Sequence, residues 1–473
     1  MKKFVLLIGF ILSGCRKLVQ VPAPPTSVAD NSVYASNATA IAVLTGIYET
    51  ISASGLSSPG NAPSLSLFPG LSSDELTLRS GSANIPMLNY YRNALSGVNS
   101  GSGSEYWTQL FSYVYSCNLA IEGLNGSSGL TPAVKQQLLG EALFMRAFFY
   151  FYLVNLYGDL PLAVTSDYGV NSRLARIGTS VIYEQIVADL QAASSLLSTE
   201  FLDSTLVNMS AERVRPTKWA ALALLARVYL YMGYWSSAEQ QADSVIANTS
   251  LFGLSPLASA FLRAGLQNNE AIWQLQPVNT GYNTEDAMVF VLPPTGPANG
   301  YEVYLSDQLL SSFEPGDQRR VSWVDSVLVG GVTYYYAYKY KINTQGQNVN
   351  EYLTMLRLAE VYLVRAEARA EQGDFAEAAA DLNVIRARAG LGPTAAVTEQ
   401  GLLTAIWHER QVELFTELGQ RWLDLKRTGH VDSVMSVVTP LKGGGAWEPY
   451  EQLYPVPPHD ILADPNLTQN SGY

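Results

Sequence analysis

The run EALFMRAFFYFYLVNLYGDLPL at 141–162 constrains this chain most. A surface helix keeps its apolar residues to one stripe. This run is apolar almost all round, so it predicts a central helix wrapped by other elements. Thr131 supplies an N-cap and Pro132 a first helical position. Gly158 and Pro161 stop the helix near Tyr157. Arg146 lies inside it and needs a buried partner, because an uncompensated charge in a core is strongly destabilising. An intramolecular ion pair is the expected solution.

Two further segments repeat one another: YLYMGYWSSAEQQADSVI at 229–246 and ARAEQGDFAEAAADLNVI at 368–385. Both carry Gly-x-aromatic-x-x-Ala, as Gly233-Trp235-Ala238 and Gly373-Phe375-Ala378. This is the turn and second helix of a tetratricopeptide-type unit. The glycine makes the turn, and the aromatic and alanine let two helices pack. The two units are not a simple tandem array in the sequence. The expected fold class is mainly α: a single α-rich domain of tetratricopeptide-like helix pairs with a loop-rich ligand-binding part and small β-hairpins.

Helical spacing marks further helices at 31–50, 105–124, 180–197, 217–232, 235–247, 351–372 and 375–389. A long charged helix is expected over 401–428. The aromatic alternation of YYYAYKYKI within 332–342 predicts a strand of a small hairpin. Residues 51–104 turn to Ser, Gly, Asn and Pro, and 277–304 is again loop-like. Loops of such length are usually functional. The tail 453–473 reads as extended. Scaffold pairs therefore fall at about 105–250 and 351–428, and loop-rich regions at about 52–104 and 277–323.

Charge narrows the partners. Lys and Arg number 29 against 41 Asp and Glu, a net −12, which disfavours nucleic acid. Charged residues make up 15% of the chain, while Tyr numbers 28 and Trp 8. A neutral, aromatic-rich surface suits an uncharged ligand better than a phosphate or a metal. No apolar run reaches membrane-spanning length without a charge.

Lys2 and Lys3 precede the apolar stretch Phe4 to Leu12, then Leu12-Ser13-Gly14-Cys15. This is similar to a bacterial lipobox, which predicts a signal peptide over 1–14 and a diacylated Cys15. Residues 15–26 would form a lipidated, proline-containing tether, and 27–473 the folded domain. Cys117 is then the one remaining thiol. It allows no internal disulfide and reads as a buried packing residue.

Catalytic patterns fail. His408-Glu409 lacks the second histidine of a zinc protease, and no phosphate loop, Rossmann fingerprint, CxxC or nucleophile elbow is present. Asp74 and Glu75 could serve a glycosidase only with a correctly spaced partner, and none is evident. Arg357/Glu360, Arg410/Glu413, Glu417/Arg421 and Asp424/Arg427 have the spacing of helix-face ion pairs. The expectation is no enzyme, no cofactor and no metal.

Several blocks, in order, resemble the SusD/RagB family of outer-membrane lipoproteins from Bacteroidetes. They are the lipobox, 141–162, RPTKWAALALLARVYLYMGYWSSA at 215–238, FEPGDQRR at 313–320 and RLAEVYLVRAEA at 357–368. LNVIRARAGL at 382–391, ERQVELFTELGQRWLDLKRTG at 409–429 and YPVPPHDILADPNLTQNSGY at 454–473 complete the series. The resemblance implies a surface-exposed, lipid-anchored protein of the outer membrane. It implies a SusC-like TonB-dependent transporter as partner and capture of an oligosaccharide or, in the RagB branch, an oligopeptide. A tetratricopeptide-type scaffold without a small ligand is the alternative.

Sugars present apolar faces and hydroxyl edges, which flat aromatics and neighbouring polar side chains recognise. Two regions hold such mixtures. The first supplies Asp74, Arg79, Asn84, Asn89, Tyr90 and Tyr91. The second supplies Tyr282, Asn283, Tyr301, Tyr304 and Trp323. The ligand-binding candidates are Asp74, Arg79, Asn89, Tyr90, Tyr91, Tyr282, Tyr301, Tyr304 and Trp323. No Trp occurs between Ser52 and Ser104, so Tyr90 or Tyr91 would have to supply stacking there. Trp107, Trp219, Trp273, Trp407 and Trp422 are assigned to the core.

Overall fold

The computed structural model describes residues 33–54, 64–98 and 103–473. The predicted signal peptide, the tether and Cys15 lie outside the described residues. The scaffold helices are α1 (Asn37–Ser54), α2 (Trp107–Gly126), α3 (Pro132–Tyr157), α4 (Thr179–Leu196), α5 (Lys218–Tyr231) and α6 (Trp235–Ile246). They continue with α7 (Leu358–Glu371), α8 (Phe375–Arg388), α9 (Glu399–Glu413) and α10 (Gln420–Arg427). Three two-stranded antiparallel sheets complete the frame. The first pairs β1 (Leu76–Leu78) with β3 (Val303–Leu305). The second pairs β2 (Ala271–Leu275) with β6 (Leu353–Arg357), and the third β4 (Val324–Val329) with β5 (Val332–Ala337).

Helix α3 is the predicted central helix. Nearly every side chain from Leu138 to Tyr157 is buried, and α1, α2, α4 and α5 pack around it. Among the described residues it is the one helix long and apolar enough to cross a membrane. Its surface is spent on the core instead. Arg146 finds its partner on α4, where Asp189 takes Nε at 2.8 Å and Nη2 at 2.7 Å. Nη1 donates to Asn118 Oδ1 at 2.9 Å. Cys117 is buried one residue away on α2. Thr131 holds the N-cap position without bonding the first turn; its Oγ1 accepts from Asn37 Nδ2 at 3.1 Å, which ties α1 to α3.

The repeated motifs form α5–α6 and α7–α8. Gly233 and Gly373 take φ of +72° and +86°, a left-handed turn that glycine adopts without strain. Ala238 and Ala378 are fully buried. The units are far apart in sequence yet neighbours in space, because α6 packs on α7. Arg365 joins them by pairing with Asp243 of α6 at 2.7 Å and Asp381 of α8 at 2.6 Å. The intervening chain is the insertion that carries most of the strands.

The expected helix over 401–428 is two helices. Thr416, Leu418 and Gly419 all take positive φ and break it between Glu413 and Gln420. The break has an electrostatic purpose. It frees the carbonyls of Glu413 and Phe415 to accept Lys339 Nζ, each at 2.8 Å. Glu413 and Glu417 turn toward Arg357, at 2.6 Å each. Arg388 reaches Glu270 at 2.6 Å and also Glu413. Arg319 bonds Asp317, Glu409 and Glu413 at 2.8, 2.6 and 2.9 Å. This buried cluster knits insertion to scaffold.

Of the four helix-face pairs expected, Asp424–Arg427 forms, at 2.7 Å. The other three are corrected. Arg410 pairs with Asp424, Arg421 with Asp74, and Glu360 with Arg227. Burial selects partners that satisfy several bonds at once, and those lie across elements rather than along one helix face. Trp107, Trp273 and Trp422 are core as expected, while Trp219 and Trp407 are half-buried. Within the Ser/Gly-rich region, the short helix Leu67–Ser72 is completely buried.

Candidate functional site

Strand β1 belongs to the first loop-rich region and β3 to the second. Their antiparallel pairing sets Leu76 opposite Leu305, Thr77 opposite Tyr304 and Leu78 opposite Val303. Successive strand residues face opposite ways. Leu76, Leu78, Val303 and Leu305 are buried, so Thr77 and Tyr304 share the outer face, each half-buried. The two sequence regions singled out for aromatic and polar content therefore meet in one place.

Tyr91 ends the short helix Ile85–Tyr91 and hydrogen-bonds the Thr77 side chain. Its ring lies 5.2 Å from Lys442 Nζ. Lys442 is buried and donates to the carbonyl of Leu71 at 2.7 Å and to that of Ser73. It fixes the exit of the buried helix that leads into β1. The Tyr304 ring meets Tyr334 of β5 edge-to-face, with centroids 5.1 Å apart and planes at 84°. Burial raises the phenol pKa of Tyr91 and of Tyr304, and neighbouring Tyr91, Tyr334 and Asp307 add to the rise at Tyr304. Both remain neutral hydrogen-bonding phenols.

A polar edge borders these rings. Arg79 follows β1 and pairs with Glu302 at 2.6 Å. Its Nη2 also donates to Asn299 Oδ1. Tyr301 sits one residue before Glu302, half-buried against the core. Asn84 caps the Tyr91 helix by accepting from Met87 N at 3.1 Å, and Asn89 is half-buried on it. On the other face of the hairpin, Arg320 lies over the Tyr335 ring at 4.4 Å. This arrangement offers half-exposed phenols with guanidinium, carboxylate and amide groups in reach. It holds no nucleophile with an adjacent base, and among the described residues no group of three metal-ligating side chains occurs.

Three candidates are corrected. Trp323 is 0% exposed; its Nε1 donates to Leu257 O at 2.8 Å, and its ring packs edge-on to Phe261. Lys339, Arg388 and Arg357 cover the ring at 4.9, 5.6 and 5.8 Å, which leaves no face for a ligand. Tyr90 is also 0% exposed, stacked on Phe68 at 4.4 Å with its hydroxyl donating to Glu105 at 2.5 Å. Stacking from that region falls to Tyr91. Asp74 is buried and clamped by Arg421 at 2.8 and 2.7 Å. Burial opposes its charge, but Arg421 and then Lys442 outweigh it and hold its pKa low. Its neighbour Glu75 is pushed up to about 8 by burial and by Asp74. Asn283 is buried too, with Oδ1 accepting from Asn350 N and Glu351 N. Tyr282 lies on a different turn, whose Gly281 carbonyl accepts from Gly346 N at 2.8 Å.

Sequence reasoning missed Tyr334. The signal was available: it is the third residue of the alternating aromatic strand, and alternate residues of that strand share a face.

The comparisons agree with this architecture. Residues 75–230 match the model of a SusD-like family described as starch-binding and associating with the outer membrane. Residues 322–473 match the SusD family model. SusD-like protein P25 of Formosa agariphila is 26% identical over 459 residues, covering 82% of this chain and 84% of that protein. A SusD-like protein from Bacteroides fragilis superposes with a TM-score of 0.78 at 22% identity, covering 94% of this chain and 99% of that one. Surface glycan-binding protein A from Bacteroides uniformis does so with a TM-score of 0.76 at 20% identity, over 91% and 98%. These define an outer-membrane nutrient-binding class on a helix-pair scaffold. The chain belongs to the SusD/RagB family.

Proposed function

We propose that this protein captures a neutral glycan on the face formed by Tyr91, Tyr304 and Tyr334, and passes it to a SusC-like TonB-dependent transporter in the outer membrane. The β1–β3 register carries this reading, since it brings residues from both loop regions into one aromatic surface with a polar edge. Tyrosine gives a sugar ring apolar area at little entropic cost. Arg79, Glu302 and Asn299 are placed to exchange hydrogen bonds with hydroxyls. The starch-binding description of the family model and the glycan-binding neighbour support the ligand class. Capture here involves no bond-breaking step.

Calorimetry of the chain against maltoheptaose, laminarihexaose and an oligopeptide panel tests this, with product analysis of the same samples. A glycan binds without product, and Tyr304→Ala weakens it about tenfold. An affinity indifferent to that substitution sinks the site. Binding of peptides alone reassigns the ligand, and a product reassigns the protein as an enzyme.

We also propose that acylated Cys15 anchors the chain with its folded part facing the exterior. The Cys15→Ala chain is then expected to lose its lipid and leave the membrane fraction. Retention of both would overturn the anchor.

A further inference from the structure

A second cleft opens on the opposite side of α2 from α1, between that helix, the 161–174 segment and the C-terminal 460–467 segment. It has a volume of about 400 Å³, within the range of sites that enclose small ligands. It shares no residue with the tyrosine face. Trp107 and Phe111 line it from α2. Two tyrosines stand at it unusually bare for aromatic side chains: Tyr115 is 45% exposed and Tyr168 82%. The C-terminal segment contributes the carboxylates of Asp460 and Asp464.

The charge of this cleft is one-sided. Among the described residues, no Lys, Arg or His lines it. Asp464 accepts from the backbone N–H of Asn466 at 2.9 Å, and Asp460 has the exposed ring of His459 beside it at 3.1 Å. Asn118 cannot serve as a donor to a ligand. Its Nδ2 donates to the carbonyls of Ala163 and Thr165, and its Oδ1 accepts from Arg146 Nη1. The cleft thus presents aromatic faces and anionic acceptors. An anion would be repelled there. A cation is attracted by the ring quadrupoles and by the carboxylates together.

We infer that this cleft binds an organic primary ammonium group carried on a polar oligomer. An amino-sugar unit and a lysine side chain share that chemistry. Calorimetry at pH 6, where carboxylates are ionised and both kinds of amine are largely protonated, compares a glucosamine hexamer, its fully N-acetylated counterpart and an end-blocked trilysine. At least one of the two amines binds, and the one that binds names the source. Tyr168→Ala and Asp460→Asn each weaken that binding about tenfold, and added salt weakens it further. Both side chains are at the surface, so thermal unfolding of each variant is expected to match the parent, which separates lost binding from lost fold. Equal affinity for the acetylated hexamer overturns the ammonium assignment. So does silence of both amines, or amine binding that neither substitution alters.

Discussion

Replacing Glu413 by Gln is expected to lower folding stability by about 3–5 kcal/mol. The carboxylate is buried and bonds Arg357 at 2.6 Å, Arg319 at 2.9 Å and Arg388. Burial opposes its charge, yet the guanidiniums of Arg388, Arg357 and Arg319 hold its pKa well below the ordinary value. The amide keeps the volume but removes the charge, and three buried cations then share fewer anions. An ion cluster of this kind need not add net stability over an apolar core, but breaking one member is costly. Denaturant unfolding followed by circular dichroism measures the loss. A shift under about 1 kcal/mol would remove the cluster from its role as the clamp between insertion and scaffold.

Trp323→Ala should cost about 3–5 kcal/mol as well, through the cavity left by a fully buried indole. It also removes the ring beneath Lys339, Arg357 and Arg388, so the ionic cluster loses its floor. The folded fraction should bind ligand with unchanged affinity. That pairing of outcomes separates a core tryptophan from a binding one. A variant with parental stability and abolished binding would return Trp323 to the ligand.

The scaffold was legible because its signals are local. Gly233 and Gly373 sit where a left-handed turn is needed, and the apolar girth of 141–162 announces burial on all sides. Arg146 could be read as needing a partner, though not that Asp189 would be it. The candidate face was legible by region and not by residue. Strand β1 is three residues long in a Ser/Gly-rich stretch, too short for alternation to reveal its buried face. Trp323 looked available because it follows a polar block. Its covering comes from Lys339, Arg357 and Arg388, on separate elements. Tyr90 and Tyr91 are adjacent in sequence, yet one faces the core and the other the surface. Only the packing of the short helix against Phe68 decides which.

The fastening of the first loop region has a consequence for how the chain acquires its shape. Asp74 is held by Arg421, 347 residues further on, and the carbonyl of Ser73 by Lys442, 369 residues further on. Helix pairs need only their near neighbours, so they can form as the chain emerges. These clasps close very long loops, which is entropically expensive and slow. The ground beneath Tyr91 therefore cannot be completed until nearly the whole polypeptide is available. A truncated chain is expected to own its helices while the surface around Tyr91 stays unfastened.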